Sequence, residues 1–295
     1  MQQRIHEGVE ALQQQDLETA QAIFESVLAA EPRSAAACCN LGMIALVQQR
    51  LQEALDYLHK AIQYDDRMFH AYLNLGSAQF MLGDLVRAEQ TYTKAAQLDP
   101  QNIDVHINLG ILYGQTQNLE KARQSFERVL KLNGNTFQAA FMLGSIYMEM
   151  GDHYPAMANV LDALRLFPRH QESRILLSEI YRRMGRYDAA ERELQRLHQD
   201  EPELLTPLVR LGIIYIETGR HAEALPLLER ALEAGVETMQ VYELCGILYE
   251  EQGNLEKAQE TYQQILLIDP DNENAQAGLD RIQRLPEMGA SLMGG

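Results

Sequence analysis

Residues 69–102 read FHAYLNLGSAQFMLGDLVRAEQTYTKAAQLDPQN, and nearly the same line is written eight times along the 295 residues of the chain. A step of 34 residues from Gly76 meets Gly8, Gly42, Gly110, Gly144, Gly212 and Gly246, with Ser178 in the one gap. The same step from Ala88 meets Ala20, Ala54, Ala122, Ala156, Ala190, Ala224 and Ala258 without exception. The units 1–34, 35–68, 69–102, 103–136, 137–170, 171–204, 205–238 and 239–272 therefore follow one another with no insertion or deletion. A fixed period of this length predicts a stacked array in which each unit buries its apolar face only against its neighbours.

Two helices account for each unit. Tyr72, Leu75, Gly76 and Gln79 fall at i, i+3, i+4 and i+7, one stripe of a helix. The glycine lets a second helix approach where a side chain would block it. Gly83 supplies a left-handed stop, and Asp84 sits in the turn that follows. Ala88, Tyr92 and Ala95 form the second stripe, and Pro100 ends that helix. Each helix should have about 13 residues.

The units differ in informative ways. Asp66 and Gly134 replace the closing proline in repeats two and four. Pro155 opens a second helix, where its missing N–H costs little, whereas Pro226 lies a turn further in and predicts a modest distortion. Repeat six puts Arg174 at the large-residue position and Ser178 at the glycine position. Residues 273–285 read as one further amphipathic helix, a solubilising cap stopped by Pro286, and residues 286–295 read as a flexible tail.

The spacing resembles the tetratricopeptide repeat, with its large–Leu–Gly–Tyr–Ala–Phe–Ala–Pro pattern. In repeat eight the matching residues are Tyr242, Cys245, Gly246, Tyr249, Ala258, Tyr262, Ile265 and Pro270. The resemblance implies an all-α fold, a right-handed superhelical solenoid of antiparallel helix pairs whose first helices line a concave groove. It also implies a module for protein–protein interaction.

Composition bounds the remaining possibilities. The net charge is −17; residues 1–136 carry 11 Lys and Arg against 16 Asp and Glu, and residues 137–295 carry 14 against 26. Such a field repels phosphate backbones and anionic lipid and favours neutral or basic protein partners, so nucleic acid is not expected. The apolar runs are too short to cross a bilayer, and MQQRIHEGVEALQQQ lacks the apolar segment of a signal peptide. Cys38, Cys39 and Cys245 form neither an even disulfide set nor a metal spacing, which points to a reducing cytoplasm.

Reaction chemistry has little to stand on. No GxxxxGK[ST] loop, GxGxxG turn, GxSxG elbow or HExxH pair occurs, and the eight histidines fall at unrelated repeat positions. Residues Asp269 to Asn274 mimic the opening of a calcium loop but lack its glycine. No enzyme, cofactor or metal is expected.

Binding chemistry is better represented. If positions 4, 7, 8 and 11 of each unit face the core, positions 2, 6, 9 and 13 point the other way, with 5 and 12 flanking. Position six holds Asn40, Asn74 and Asn108 in three successive repeats. An amide offers two donors and an acceptor, which suits gripping an extended peptide backbone; the alternative is bonding among neighbouring helices. This row resembles the asparagine ladder of peptide-binding tetratricopeptide arrays. Met43, Val47, Phe80, Met81 and Ile111 add apolar surface to the same face, position 12 being the one expected to pack on the chain's own helices. Arg182, Arg183 and Arg210 form a basic cluster that could hold a partner's carboxylate, although Glu149, Glu179 and Glu217 share that face and favour an ion-pair lattice.

These features together predict a non-enzymatic cytoplasmic scaffold that binds a partner segment in its groove. A regulatory or substrate-recruiting subunit of an enzyme or assembly system, and a self-associating structural protein, are the other classes the pattern allows.

Overall fold

The computed structural model describes residues 1–292 and the side chains of residues 1–284. Each period of 34 is a pair of antiparallel helices joined by a tight turn, and the fold is the all-α solenoid of stacked helix pairs. The chain divides into two compact units at Leu166 and Phe167.

The first unit comprises α1 (Gln2–Gln13), α2 (Leu17–Ala30), α3 (Ala35–Val47), α4 (Leu51–Tyr64), α5 (Phe69–Met81), α6 (Leu85–Leu98), α7 (Ile103–Gln115), α8 (Leu119–Leu132), α9 (Phe137–Glu149) and α10 (His153–Leu166). The second comprises α11 (Gln171–Arg183), α12 (Tyr187–Asp200), α13 (Thr206–Glu217), α14 (His221–Glu233), α15 (Met239–Glu251), α16 (Leu255–Ile268) and α17 (Glu273–Leu292). Within each unit every helix packs on its neighbours in sequence.

The recurrent glycine is where the two helices of a pair meet. A Cβ on Gly76 would lie 2.6 Å from the Tyr92 ring, and one on Gly110 would lie 2.6 Å from the Phe126 ring. Sixteen residues separate the partners in both pairs, so the small residue and the large one repeat together. Phe24, Leu58, Tyr92 and Phe126 are consequently buried, and the matching alanines Ala20, Ala54, Ala88 and Ala122 have no exposed surface. Burying such a side chain contributes roughly 1.5–3 kcal/mol relative to exposure.

The turn inside each pair needs a left-handed residue. Gly83 takes it with φ +80°, as expected, but Gln15, Gln49 and Gln117 hold φ near +60° at the same repeat position. These glutamines occupy a conformation that costs a residue with a Cβ about 1–2 kcal/mol. The next residue caps the second helix. Asp84 accepts from the Arg87 N–H at 3.2 Å and Asn118 from the Lys121 N–H at 3.3 Å. The capping role goes beyond the turn placement read from the sequence.

Repeat six accommodates its two exceptions locally. Arg174 is buried, and its Nε and Nη2 donate to the Pro168 carbonyl at 3.1 and 2.9 Å while Nη1 lies 3.4 Å from Asp200. Its charge is paired and its Nε and Nη2 are satisfied, while the buried Nη1 has the ion pair without a hydrogen bond. Ser178 turns its hydroxyl onto the Ile175 carbonyl at 2.7 Å.

Pro226 and Pro286 lie beyond the first turn of their helices. Pro226 is contained in α14 without interrupting it. α17 likewise continues past Pro286 to Leu292, which corrects the expected end at residue 285 and a tail beginning at 286. A proline removes one backbone donor and crowds the preceding turn without forbidding helical geometry beyond it. The rest of that expected tail, 293–295, lies outside the described residues.

Candidate functional site

In the first unit α3 packs against α5 and α5 against α7, so the first helices of repeats two, three and four lie side by side. Asn40, Asn74 and Asn108 stand at the same phase on these three helices, all half-buried. Their bonding differs. Asn40 Nδ2 donates to the Ala36 carbonyl of its own helix at 2.8 Å, leaving its carbonyl oxygen open. Asn74 lies near Cys39 of the neighbouring helix, where burial pushes the thiol up to about 11. Asn108 makes no hydrogen bond among the described residues. The row is therefore not a ladder of asparagines bonded to one another.

The apolar residues of this face separate into two groups. Val47 and Met81 are exposed, at 61% and 49%, and Met43 is half-buried. Phe80 packs on the cluster around Tyr92 and Leu109, as expected of a flanking position. Ile111 packs on the cluster formed by Ala122, Phe126 and Val129 of α8 with Ala139, Leu143 and Ile146 of α9. It is half-buried there, as Met43 is at the same repeat position.

The three arginines of the second unit converge on one carboxylate. Arg182 donates to Glu179 through Nε at 2.9 Å and Nη2 at 2.6 Å, Arg183 Nε at 3.0 Å and Arg210 Nη1 at 3.3 Å. Arg182 also pairs with Glu217 on α13. Burial works to raise the Glu179 carboxyl, but hydrogen bonds from Arg182 and Arg183 and the charges of Arg182 and Arg210 outweigh it and hold it at about 2. The cluster is an ion-pair lattice rather than an open guanidinium fork. Arg210 is its least satisfied member: its Nε is buried without a partner, and burial lowers the guanidinium below its ordinary value.

Cys38, Cys39 and Cys245 are buried free thiols, and burial pushes Cys245 up to about 12. Among the described residues no three His, Cys, Asp or Glu side chains gather at metal-binding distance. Asp269, at the head of the calcium-like stretch, accepts from the Asp271 N–H at 3.3 Å in an ordinary turn. Among the described residues no helix is long and apolar enough to cross a membrane.

Known proteins extend this picture. Tetratricopeptide repeat families match residues 7–67, 40–103, 79–146, 171–235 and 203–270. The family of subunit 3 of the anaphase-promoting complex, or cyclosome, matches residues 115–197. No curated protein sequence matches the chain. Among solved structures, a tetratricopeptide repeat protein from Parabacteroides merdae is 20% identical, with a TM-score of 0.63, covering 85% of this chain and 99% of its own. PilW, described as a type IV pilus biogenesis factor, is 18% identical with a TM-score of 0.62, covering 72% of this chain and 98% of its own. YrrB, described as having an unusual peptide-binding site, is 21% identical with a TM-score of 0.56, covering 62% and 95%. At these identities the likeness is one of fold. With the repeat families matched along both units, the chain belongs to the tetratricopeptide repeat family.

Proposed function

We propose that this protein is a non-enzymatic, cytoplasmic interaction scaffold that grips an extended segment of a neutral or basic partner on the α3–α5–α7 face. Asn40, Asn74 and Asn108 hold the partner's backbone, while Met43, Val47, Phe80 and Met81 receive its apolar side chains and Ile111 makes a partial contact. The observation that carries this reading is the side-by-side placement of three in-phase amides with bonding capacity left over, flanked by exposed Val47 and Met81. Each backbone bond contributes a net ~0.5–1.5 kcal/mol, so the row orients a segment more than it tightens it. Apolar contacts supply the remainder, offset by the cost of immobilising the segment. The net charge of −17 favours partners that are not themselves acidic overall. Family membership supports an interaction role in place of catalysis.

A peptide selected from a displayed random library against the full chain gives the probe. Replacing all three asparagines by alanine should weaken its binding about tenfold or more, with helicity by circular dichroism unchanged. Undiminished affinity in that titration removes the asparagines from the reading.

A further inference from the structure

The first unit joins its repeats by four-residue connections. The second lengthens 201–205, just before Pro207, and 234–238, which holds Gly235, to five; with α11 and α13 these leave a recess of about 850 Å³. The connection 133–136 between α8 and α9 keeps the length of the first unit and changes the chemistry. Repeats one, three, six and eight carry Glu31-Pro32, Asp99-Pro100, Glu201-Pro202 and Asp269-Pro270 there, whereas repeat four carries Asn133-Gly134. Proline has no main-chain N–H, and glycine does. Asn133 is also the one asparagine of the chain that precedes a glycine.

The local geometry leaves this pair open. The Asn133 N–H closes α8 on the Val129 carbonyl at 2.8 Å, and the chain then leaves the helix at φ −145° and ψ 99°. Asn133, Gly134 and Asn135 are all exposed. Among the described residues the Gly134 N–H meets no backbone acceptor. The Asn133 carboxamide oxygen accepts from the Asn135 N–H at 3.2 Å, so a donor already sits where negative charge develops when a nucleophile attacks the carboxamide carbon. The Gly134 nitrogen reaches that carbon by closing a small ring, and glycine puts no side chain in the way.

We propose that Asn133 is a self-modifying site whose isoaspartate product loosens the junction between α8 and α9. The Gly134 nitrogen bonds to the carboxamide carbon, and the side-chain amide leaves as ammonia, carrying off the proton of the Gly134 N–H. Water then opens the cyclic imide and returns a proton to the Gly134 nitrogen. Cleavage at the side-chain carbonyl gives aspartate; cleavage at the main-chain carbonyl gives isoaspartate, and either carboxylate adds one negative charge.

The two products differ in what they do to the fold. Aspartate already fills this place in repeats two, three and eight, where Asp65, Asp99 and Asp269 accept the same turn bond from the N–H groups of Arg67, Gln101 and Asp271 at 3.0, 3.1 and 3.3 Å. Isoaspartate instead adds a methylene to the main chain of a short link between helices whose Val129 and Ala139 share one buried cluster. Close-packed interiors transmit such a displacement. The site shares no residue with the asparagine row, so it stands or falls separately from the function proposed above.

Incubating the full chain in mildly alkaline buffer and following its tryptic peptide 132–165 by tandem mass spectrometry tests this, since the peptide also holds Asn135 and Asn159 as internal references. The mass gain of deamidation should appear at Asn133 at least about tenfold faster than at either reference. An isoaspartyl methyltransferase should label the product. A Cβ on Gly134 would find nothing nearer than the Leu130 carbonyl at 3.8 Å, so Gly134→Ala should keep wild-type helicity. It should slow the reaction about tenfold or more. Asn133→Asp should melt as the wild type does, and the isoaspartate fraction separated by ion exchange should melt lower. The proposal is overturned if Asn133 reacts no faster than Asn159, if Gly134→Ala reacts at the wild-type rate, or if the isoaspartate fraction and Asn133→Asp melt alike. Should Gly134→Ala fail to fold, the comparison within the one peptide still decides.

Discussion

The phenol of Tyr249 donates a 2.7 Å hydrogen bond to Glu229, tying the first helix of the eighth repeat to the second helix of the seventh. Lys257 Nζ reaches the same carboxylate oxygen at 2.8 Å and stands 5.1 Å over the Tyr249 ring. The arrangement recurs. Tyr113 and Lys121 both donate to Glu89 at 2.9 Å, and Tyr215 and Arg220 donate to Glu191 at 2.8 and 2.7 Å. Each is a tyrosine–carboxylate–cation latch between adjacent repeats, the interface on which a stacked array depends.

Tyr249→Phe deletes the donor and keeps the ring. It should destabilise the protein by about 1–2 kcal/mol, since the acceptor is charged and the site only partly exposed. Urea denaturation checks this; an unshifted midpoint would show the phenol idle. Adding Glu229→Gln should then cost less than it does in the wild type, because the two residues share one interaction.

Acid should loosen the fold in a defined window. The Glu179 carboxyl is held at about 2 against an ordinary 4.5, and those of Glu89, Glu191 and Glu229 are lowered as well. A folded value below the unfolded one stabilises fully above 4.5 and loses that stabilisation as pH falls towards 2. Melting temperature should therefore decline through this range, and Glu179→Gln should make the decline shallower. An identical acid profile for the variant would contradict the assignment.

Two glycines of one helix should respond in opposite directions to alanine. Gly110→Ala places a methyl 2.6 Å from Phe126 and should cost about 1–3 kcal/mol by overpacking. Gly114 has no atom within 4 Å of its would-be Cβ, so Gly114→Ala should gain up to about 1 kcal/mol from helix propensity alone. Thermal melts of the two variants read the contrast directly.

Gln117 sits at φ +58° where repeats three and five have glycine. Gln117→Gly relieves the left-handed strain and should stabilise by roughly 0.5–1 kcal/mol after the added chain entropy is counted. A lowered melting temperature would mean that the glutamine side chain contributes more than its backbone costs.

The helix pairs were legible because packing in a stacked array is periodic. Gly76 against Tyr92 recurs at one spacing in seven of the eight repeats, and Ala88 in all eight. Features set by chance pairings across repeats were not legible. Nothing in the spacing places Asn74 near Cys39, and the cluster on which Ile111 packs joins α8 of its own pair to α9 of the next. The convergence of Arg182, Arg183 and Arg210 on Glu179 was anticipated in kind, since opposite charges shared a face. The isolation of Arg210 Nε was not, because it follows from which side chain reaches the shared acceptor first. The reach of α17 past Pro286 escaped for another reason: proline weakens a helix without dictating its end.

Thr206 begins its helix one place late and Glu233 ends its own one place early, yet the 34-residue beat of the alanines at 190, 224 and 258 is undisturbed. Turns have been lengthened at the expense of helix, not by adding chain. A repeat protein can thus hollow out a recess in one stretch while every later repeat keeps its place. Such recesses would escape a search for insertions, and would show instead as a misplaced proline or an early glycine.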